Sequence, residues 1–466
     1  MERVARQMLI FICLKMRQKR LRSESIYIVL SLGTPPRLEM HNFASTTIPI
    51  SIWAGAFSGV KAYSALSSTP HLGSNLTPHA PKPAQIHNTK MPIPSKLFKP
   101  MRIGRFEVSN RIVLAPLTRF RADDSHVPLP FVADYYAQRA SYPGTLLVTE
   151  ATFIAPQAGG YSNVPGIYNA AQIEAWKKVT DAVHAKKSFI VLQLWAMGRT
   201  ARLDVLKEEL GENGKIVGPS DIPMEGGSVP TPLNEAEIWE FIRYFKQAAE
   251  NAIEAGFDIV EVHGANGYLV DEFIQDVSNQ RADAWGGSVE KRARFAIEVV
   301  TALVKAVGAD RTAIRISPFC TFKSMRMKNP EPQFAYLTEQ LKKLNLAYIH
   351  IIESRVVDPD PENRDAGNVD FLLDIWKNTS PVLLASGYTP DGAYKAVDEK
   401  YKDQDIAIAF GRTFISNPDL VFRIKHNLPL TPYDRSLFYN KKEERGYITW
   451  QFSREWEERM RVRDKA

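Results

Sequence analysis

From Lys96 onward the chain alternates short β-branched and aliphatic runs with longer stretches whose apolar positions recur at helical spacing. The short runs predict eight strands, at Arg111–Leu117, Thr145–Thr152, Phe189–Trp195, Ile259–Ala265, Thr312–Ser317, Tyr348–Glu353, Val382–Ser386 and Ile406–Arg412. Amphipathic helices are expected at Ala170–Lys186, Asn234–Ala255, Ser288–Val307, Glu331–Leu344, Asn368–Asn378, Thr389–Tyr401 and Asn417–His426. Every strand except the first is followed by a clear helical pattern. Eight such units in about 320 residues match an α/β fold, a parallel (β/α)8 TIM barrel, whose strands are covered on both faces and read as Val, Ile and Leu runs. A doubly wound open sheet is the competing arrangement. It would carry G-x-G-x-x-G after its first strand, and that pattern occurs nowhere in the chain.

Composition adds a boundary near residue 92. The 466 residues are 44% hydrophobic and 24% charged, enough for a large core. Of 59 basic and 52 acidic residues, 11 and 3 fall in residues 1–92, so the net charge of +7 belongs to the leader and the body is near neutral. The body therefore offers no basic case for nucleic acid. Residues 31–92 are rich in Ser, Thr, Pro, His and Asn without periodicity, so residues 1–92 are expected to be a disordered extension before a 93–466 barrel domain. The apolar run Met8–Leu14 is far shorter than the roughly 20 residues that span a bilayer, and its basic cluster follows it, the wrong side for a secretory signal. No membrane association is expected. Cys13 and Cys320 are too few for a disulfide framework or a thiolate cluster and suit a reducing compartment. The cytoplasm is the default location, and the basic, acid-poor leader is also compatible with an organellar transit peptide.

A barrel directs attention to the C-terminal strand ends. These read Ala115–Thr118, Thr149–Thr152, Gln193–Trp195, His263–Asn266, Arg315–Ser317, Glu353–Arg355, Ser386–Gly387 and Gly411–Arg412, a polar set where core strands should be apolar. Of nine His, four lie in the leader; His263 ends a strand, while His350 is mid-strand and reads as a satisfied core histidine. No metal is expected. None of these strand ends holds a Lys for Schiff-base chemistry. What remains is a donor set, Arg315, His263, Asn266, Gln193 and Thr118, suited to a planar electron-rich ring. Gly387, Gly411 and Arg412 suit a phosphate after strands seven and eight. A phosphorylated ring cofactor such as FMN fits this inventory.

The ordered motifs Pro116–Arg119, Thr149–Ala151, Pro156–Tyr161, Gln193–Trp195, His263–Tyr268, Asn279–Asp283, Trp285–Ser288, Glu290–Phe295 and Gly411–Arg412 with Asn417–Leu420 resemble the old yellow enzyme family of FMN-dependent ene-reductases. The resemblance runs from about Leu97 to Phe452. It implies FMN at the C-terminal barrel face, a hydride taken from NADPH or NADH, and reduction of the C=C bond of a small α,β-unsaturated carbonyl compound. His263 and Asn266 match the pair that binds the substrate carbonyl, and Tyr268 matches the proton donor to the α-carbon. Pro116, Leu117, Thr118, Ala151, Gln193 and Arg315 match the flavin-ring side of the family's site. Ser386, Gly387, Gly411 and Arg412 match its phosphate side, and family members commonly have Gly-Gly or Gly-Asn where this chain has Ser386-Gly387. Phe322, Phe438 and Tyr439 match aromatic positions, with Tyr161 and Trp195 added to that wall. The segment Lys323–Asn329 has no firm match and is where substrate choice is expected to be set. Two other readings stay open: a secondary-metabolism isomerase or reductase with one dedicated substrate, and a non-catalytic FMN-binding sensor. Either a monomer or a homodimer is compatible with the motifs.

Overall fold

The computed structural model describes residues 95–353 and 367–463. The expected disordered extension, residues 1–92, lies outside the described residues, as do Ser354 and Arg355. Eight parallel strands close into a barrel: β1 Ile112–Leu114, β2 Leu146–Val148, β3 Phe189–Trp195, β4 Ile259–Gly264, β5 Thr312–Ile316, β6 Tyr348–Ile352, β7 Val382–Ala385 and β8 Ile406–Phe410. Each pairs with its sequence neighbours, and β8 returns to β1 through Ile408 opposite Ile112. All eight expected strands are present. The regular part of several is shorter than the apolar run, because the chain leaves the ladder at the polar ends that build the cleft.

Alternation along these strands sorts two layers. Outward residues such as Ile190, Leu192, Val260, Val262, Ile314, Ile349 and Leu384 pack against the helices. Those helices are α1 Val132–Arg139, α2 Ala170–His184, α3 Glu235–Glu254, α4 Val289–Val307, α5 Glu331–Lys342, α6 Asp370–Trp376, α7 Pro390–Lys395 and α8 Leu420–Lys425. Inward residues Val113, Leu146, Val191, Ile259, Ala313, Leu383 and Ala407 fill the lower barrel together with Met101, Ile103 and Val108. The last three come from an antiparallel hairpin, Met101–Ile103 with Phe106–Val108, that sequence periodicity did not indicate.

Helix starts follow capping chemistry. Asn234 accepts from the Glu237 N–H while the Glu237 side chain takes the Asn234 N–H, a reciprocal box at the start of α3. Ser288 caps α4 and Thr389 caps α7 in the same sense. Two expectations need correction. The first strand does have a helix, α1, which buries Val132, Tyr135, Tyr136 and Arg139. An Arg on that face disguised the pattern. The expected helix Asn417–His426 is confined to α8, with a separate helical turn at Arg412–Ser416 before it, because Asn417 takes φ −130° and ψ 85° and bonds through its side chain to the Thr431 backbone.

Candidate active site

The cleft lies where the sequence placed it, at the C-terminal strand ends. A cavity of about 460 Å³ is lined by Pro116, Thr118, Ala151, Gln193, His263, Asn266, Tyr268, Arg315, Phe322 and Arg412. An adjoining cavity of about 560 Å³ is lined in part by Pro116, Leu117, Arg315, Ser386, Gly387, Gly411 and Arg412, with Ala115, Ala385 and Ala409 leaving room at its floor. Pro116, Arg315 and Arg412 belong to both, so the two form one cleft. Of the site residues expected from sequence, Tyr161, Trp195 and Phe438 are outside these linings, and so is Tyr439. It is 58% exposed and sits edge-on to Phe120 at 5.8 Å. Its neighbour Phe438 is buried and held from below, since its carbonyl accepts from Arg119 and Arg121 at 3.0 Å.

His263 projects inward from the top of β4. Its ring stacks on Trp195 at 6.3 Å and meets Tyr268 edge-on at 4.8 Å. Burial, reinforced by the Arg315 charge, pushes its pKa well below the ordinary histidine value, so the ring is neutral and its Nδ1 has no protein partner. Asn266 follows with φ +61°, its N–H bonded to the Ser317 Oγ at 2.8 Å. The Cys320 thiol donates weakly to its Oδ1 at 3.7 Å, which leaves the amide N–H groups for the cavity. Tyr268 precedes the short helix Leu269–Ile274 with its ring edge-on to Trp195 at 4.8 Å. Burial raises its phenol above the ordinary value, so it carries its proton at neutral pH.

The opposite end of the cleft is built from backbone. Gly387 has φ +68°, and an added Cβ there would meet nothing within 4 Å. Ser386, the departure from the family pattern, is not among the positive-φ residues, so its side chain brings no backbone strain. Arg412 donates to the Tyr433 hydroxyl at 3.3 Å and remains at the cavity wall. An Arg beside exposed backbone suits an anion, and Arg315, whose Nε is buried without a protein partner, suits the electron-rich edge of a ring. The donor set therefore fits FMN: Gln193 and Arg315 could meet its ring, and Gly387 and Arg412 its phosphate.

The profile of the NADH:flavin oxidoreductase / NADH oxidase family matches residues 96–431. The chain belongs to that family. The Old Yellow Enzyme of Pichia sp. AKU4542 superposes on this flavin oxidoreductase with a TM-score of 0.71 at 40% identity, covering 78% of this chain and 94% of that one. Chanoclavine-I aldehyde reductase fgaOx3 of Penicillium roqueforti is 54% identical over 368 residues, 78% of this chain and 98% of its own. A probable inactive dehydrogenase, easA of Claviceps fusiformis, is 46% identical over 370 residues, 78% of this chain and 96% of its own. The protein is thus an oxidoreductase of old yellow enzyme type, with FMN as cofactor and NADPH or NADH as hydride donor. No helix among the described residues is long and apolar enough to cross a membrane.

Reading strand ends alone missed two residues of this oxidoreductase. Lys323, on the loop after β5, places its Nζ 3.9 Å from the Tyr268 ring centroid, buried and without a hydrogen-bond partner. Burial lowers its pKa to about 7. Arg199, after β3, holds that loop by donating to the Lys323 and Ser324 carbonyls at 3.1 and 3.2 Å. Lys323, Ser324 and Arg326 all take positive φ, and Gly267 makes the approach feasible, since a Cβ there would lie 2.7 Å from Met325 Cγ. Neither residue falls on a strand; the unmatched loop pointed to Lys323, and nothing in the sequence pointed to Arg199.

Proposed function

We propose that this oxidoreductase reduces the C=C bond of an α,β-unsaturated carbonyl compound, with residues 93–466 as the catalytic domain. The observation that carries the reading is the convergence of His263, Asn266 and Tyr268 on the cavity that Gln193, Thr118 and Arg315 also line. FMN, when bound, would supply the chemistry for adding a hydride, drawn from NADPH or NADH, to the alkene β-carbon. Negative charge then builds on the substrate carbonyl oxygen. His263, neutral, and Asn266, with its oxygen turned away by Cys320, each offer N–H donors to that oxygen. Tyr268 delivers its proton to the α-carbon, and the phenolate regains one from solvent. Thr118, Gln193 and Arg315 would hold the ring, with Pro116, Leu117 and Ala151 beside it. Gly387, Gly411 and Arg412, with Ser386, hold the phosphate. Phe322 and Tyr439 border the entry, with Phe322 on the cavity and Tyr439 at its outer rim.

The names of the relatives sharpen the substrate class to an unsaturated aldehyde, and the loop carrying Lys323 supports a dedicated one. The test is an anaerobic spectrum of the holoenzyme, reduced with NADPH and then given cyclohexenone or cinnamaldehyde. Bleaching followed by recovery is expected. A flavin that is reduced but returns with neither alkene favours the dedicated-substrate reading. A flavin that neither nicotinamide reduces overturns the catalytic reading in favour of FMN binding without turnover.

A further inference from the structure

Beneath the cleft floor lies a carboxylate that the mechanism above does not use. Glu261 sits on β4 between the inward residues Ile259 and His263 and is fully buried. It lines neither cavity. Its Oε1 accepts from Gln193 Nε2 at 2.7 Å, and its Oε2 accepts from the Tyr348 hydroxyl and His350 Nδ1, each at 2.9 Å. Gln193 and Glu261 are register partners across β3 and β4, so the barrel itself fixes that contact.

Two consequences follow for the groups that face the flavin ring. A carboxylate can only accept, so it forces the NH2 end of Gln193 downward and presents Oε1 upward. Burial acts to raise the Glu261 pKa, but the His350 hydrogen bond, the Arg315 charge and the Gln193 bond together hold it below the ordinary carboxylate value. Burial in turn keeps His350 neutral, which leaves Arg315 as the balancing cation of the cluster. Arg315 makes no direct ion pair with Glu261 among the described residues; it is the partner at a distance, with its Nε left for the cleft.

We propose that Glu261 is a positioning residue for the flavin, orienting the Gln193 amide and countering the Arg315 charge, and that it thereby sets the reduction potential of bound FMN. With the carboxylate present, Arg315 is partly neutralised and the reduced, anionic ring is less favoured. Removing the charge frees the full guanidinium field for that ring. The carboxylate is thus a brake on flavin reduction that keeps the reduced cofactor strong enough to pass its hydride on.

Glu261→Gln in the FMN-loaded enzyme tests this by spectroelectrochemical titration, a readout that needs no substrate. The midpoint potential is expected to rise, and Glu261→Asp, which keeps the charge, is expected to stay nearer the parent. In half-reactions, reduction by NADPH should be unchanged or faster while reoxidation by an enone slows. A residue that only supports the fold would slow both. An unchanged potential in Glu261→Gln overturns the proposal, as does an equal rise in Glu261→Asp. Should Glu261→Gln not fold, Tyr348→Phe strips one donor from the carboxylate and exposes more of its charge. The potential is then expected to fall, and no change or a rise overturns the inference. Because the potential is measured without an alkene, failure of the ene-reductase reading would show in the enone half-reaction alone.

Discussion

The inside of the barrel is two unlike halves. From β3 to β6 the inward column carries Gln193, Glu261, His263, Arg315, Tyr348 and His350, all buried polar groups above an apolar base. From β7 through β8 to β1 and β2 it carries Leu383, Ala385, Ala407, Ala409, Val113, Ala115, Leu146 and Val148. One half offers side-chain chemistry; the other offers space and exposed backbone. The polar half satisfies part of its own groups by bonding Gln193, Tyr348 and His350 to one carboxylate, and leaves His263 Nδ1, Arg315 Nε and His350 Nε2 without a protein partner. The small half needs no such network, and its alanines leave the volume into which the second cavity opens. On the proposed function, the small half would take the cofactor's phosphate and the polar half would meet its ring and the substrate.

The largest expected effect lies in the polar half. His263→Ala removes one donor to the developing carbonyl charge, and the enone half-reaction is expected to slow by about 10²–10³-fold, roughly 3 kcal/mol. Flavin absorbance should be retained, because His263 lies on the substrate side. Stopped-flow reoxidation of the NADPH-reduced variant reads this. Loss of the flavin with the activity would erase the division between the halves.

Filling the small half should do the reverse. Ala409 is 3% exposed and lines the larger cavity, so Ala409→Leu puts three further carbons where ring or phosphate must pass. FMN affinity is expected to fall by tenfold or more, consistent with about 1–3 kcal/mol of overpacking. Far-UV circular dichroism should be unaltered, since space open to the cavity can absorb the side chain in the apoprotein. A variant that keeps its flavin and loses only turnover would show that this half is not the cofactor's.

Much of this contrast was legible in sequence, for a physical reason. A strand buried on both faces has to be apolar, so Gln193, His263 and Arg315 stood out against their runs. Glu261 interrupts Ile-Val-Glu-Val-His in the same way and was open to the same logic, but it precedes the strand end to which the reasoning was confined. His350 was read as a satisfied core histidine, and its Nδ1 does bond to Glu261, though its Nε2 has no partner. Arg199 was not legible, and Lys323 only as the start of an unmatched loop, because their positions depend on a loop held by backbone carbonyls and left-handed residues, which leave no periodic trace. Tyr439 was matched by motif, but the Phe120 ring keeps it at the rim.

Lys323 permits a smaller and signed test. Its ammonium is pushed from 10.5 to about 7 by burial, so below pH 7 the folded protein bears a buried charge with no hydrogen-bond partner, which the unfolded chain hydrates. Between pH 7 and 10.5 the unfolded state binds the extra proton, and stability rises with pH across that window. Lys323→Met removes this burden. Denaturant titration of the holoenzyme should show a gain of about 1–3 kcal/mol at pH 6 that dwindles toward pH 10. A gain that does not vary with pH would mean packing, not charge, is the cause.

The smallest expected effect falls on Ser386, in the backbone half. Ser386 has no positive φ to relieve, and Gly387, which has one, is already glycine. Ser386→Gly therefore removes a side chain without releasing strain, and the added freedom of the unfolded chain should lower stability by no more than about 1 kcal/mol. If the anion is held by backbone N–H groups and Arg412, FMN affinity should change less than twofold, measured by fluorescence recovery on titrating the apoprotein. A tenfold loss would show that the Ser386 hydroxyl is itself a phosphate donor. The backbone half would then hold its ligand by side-chain chemistry as well, and the contrast between the two halves would narrow to the β3–β6 network alone.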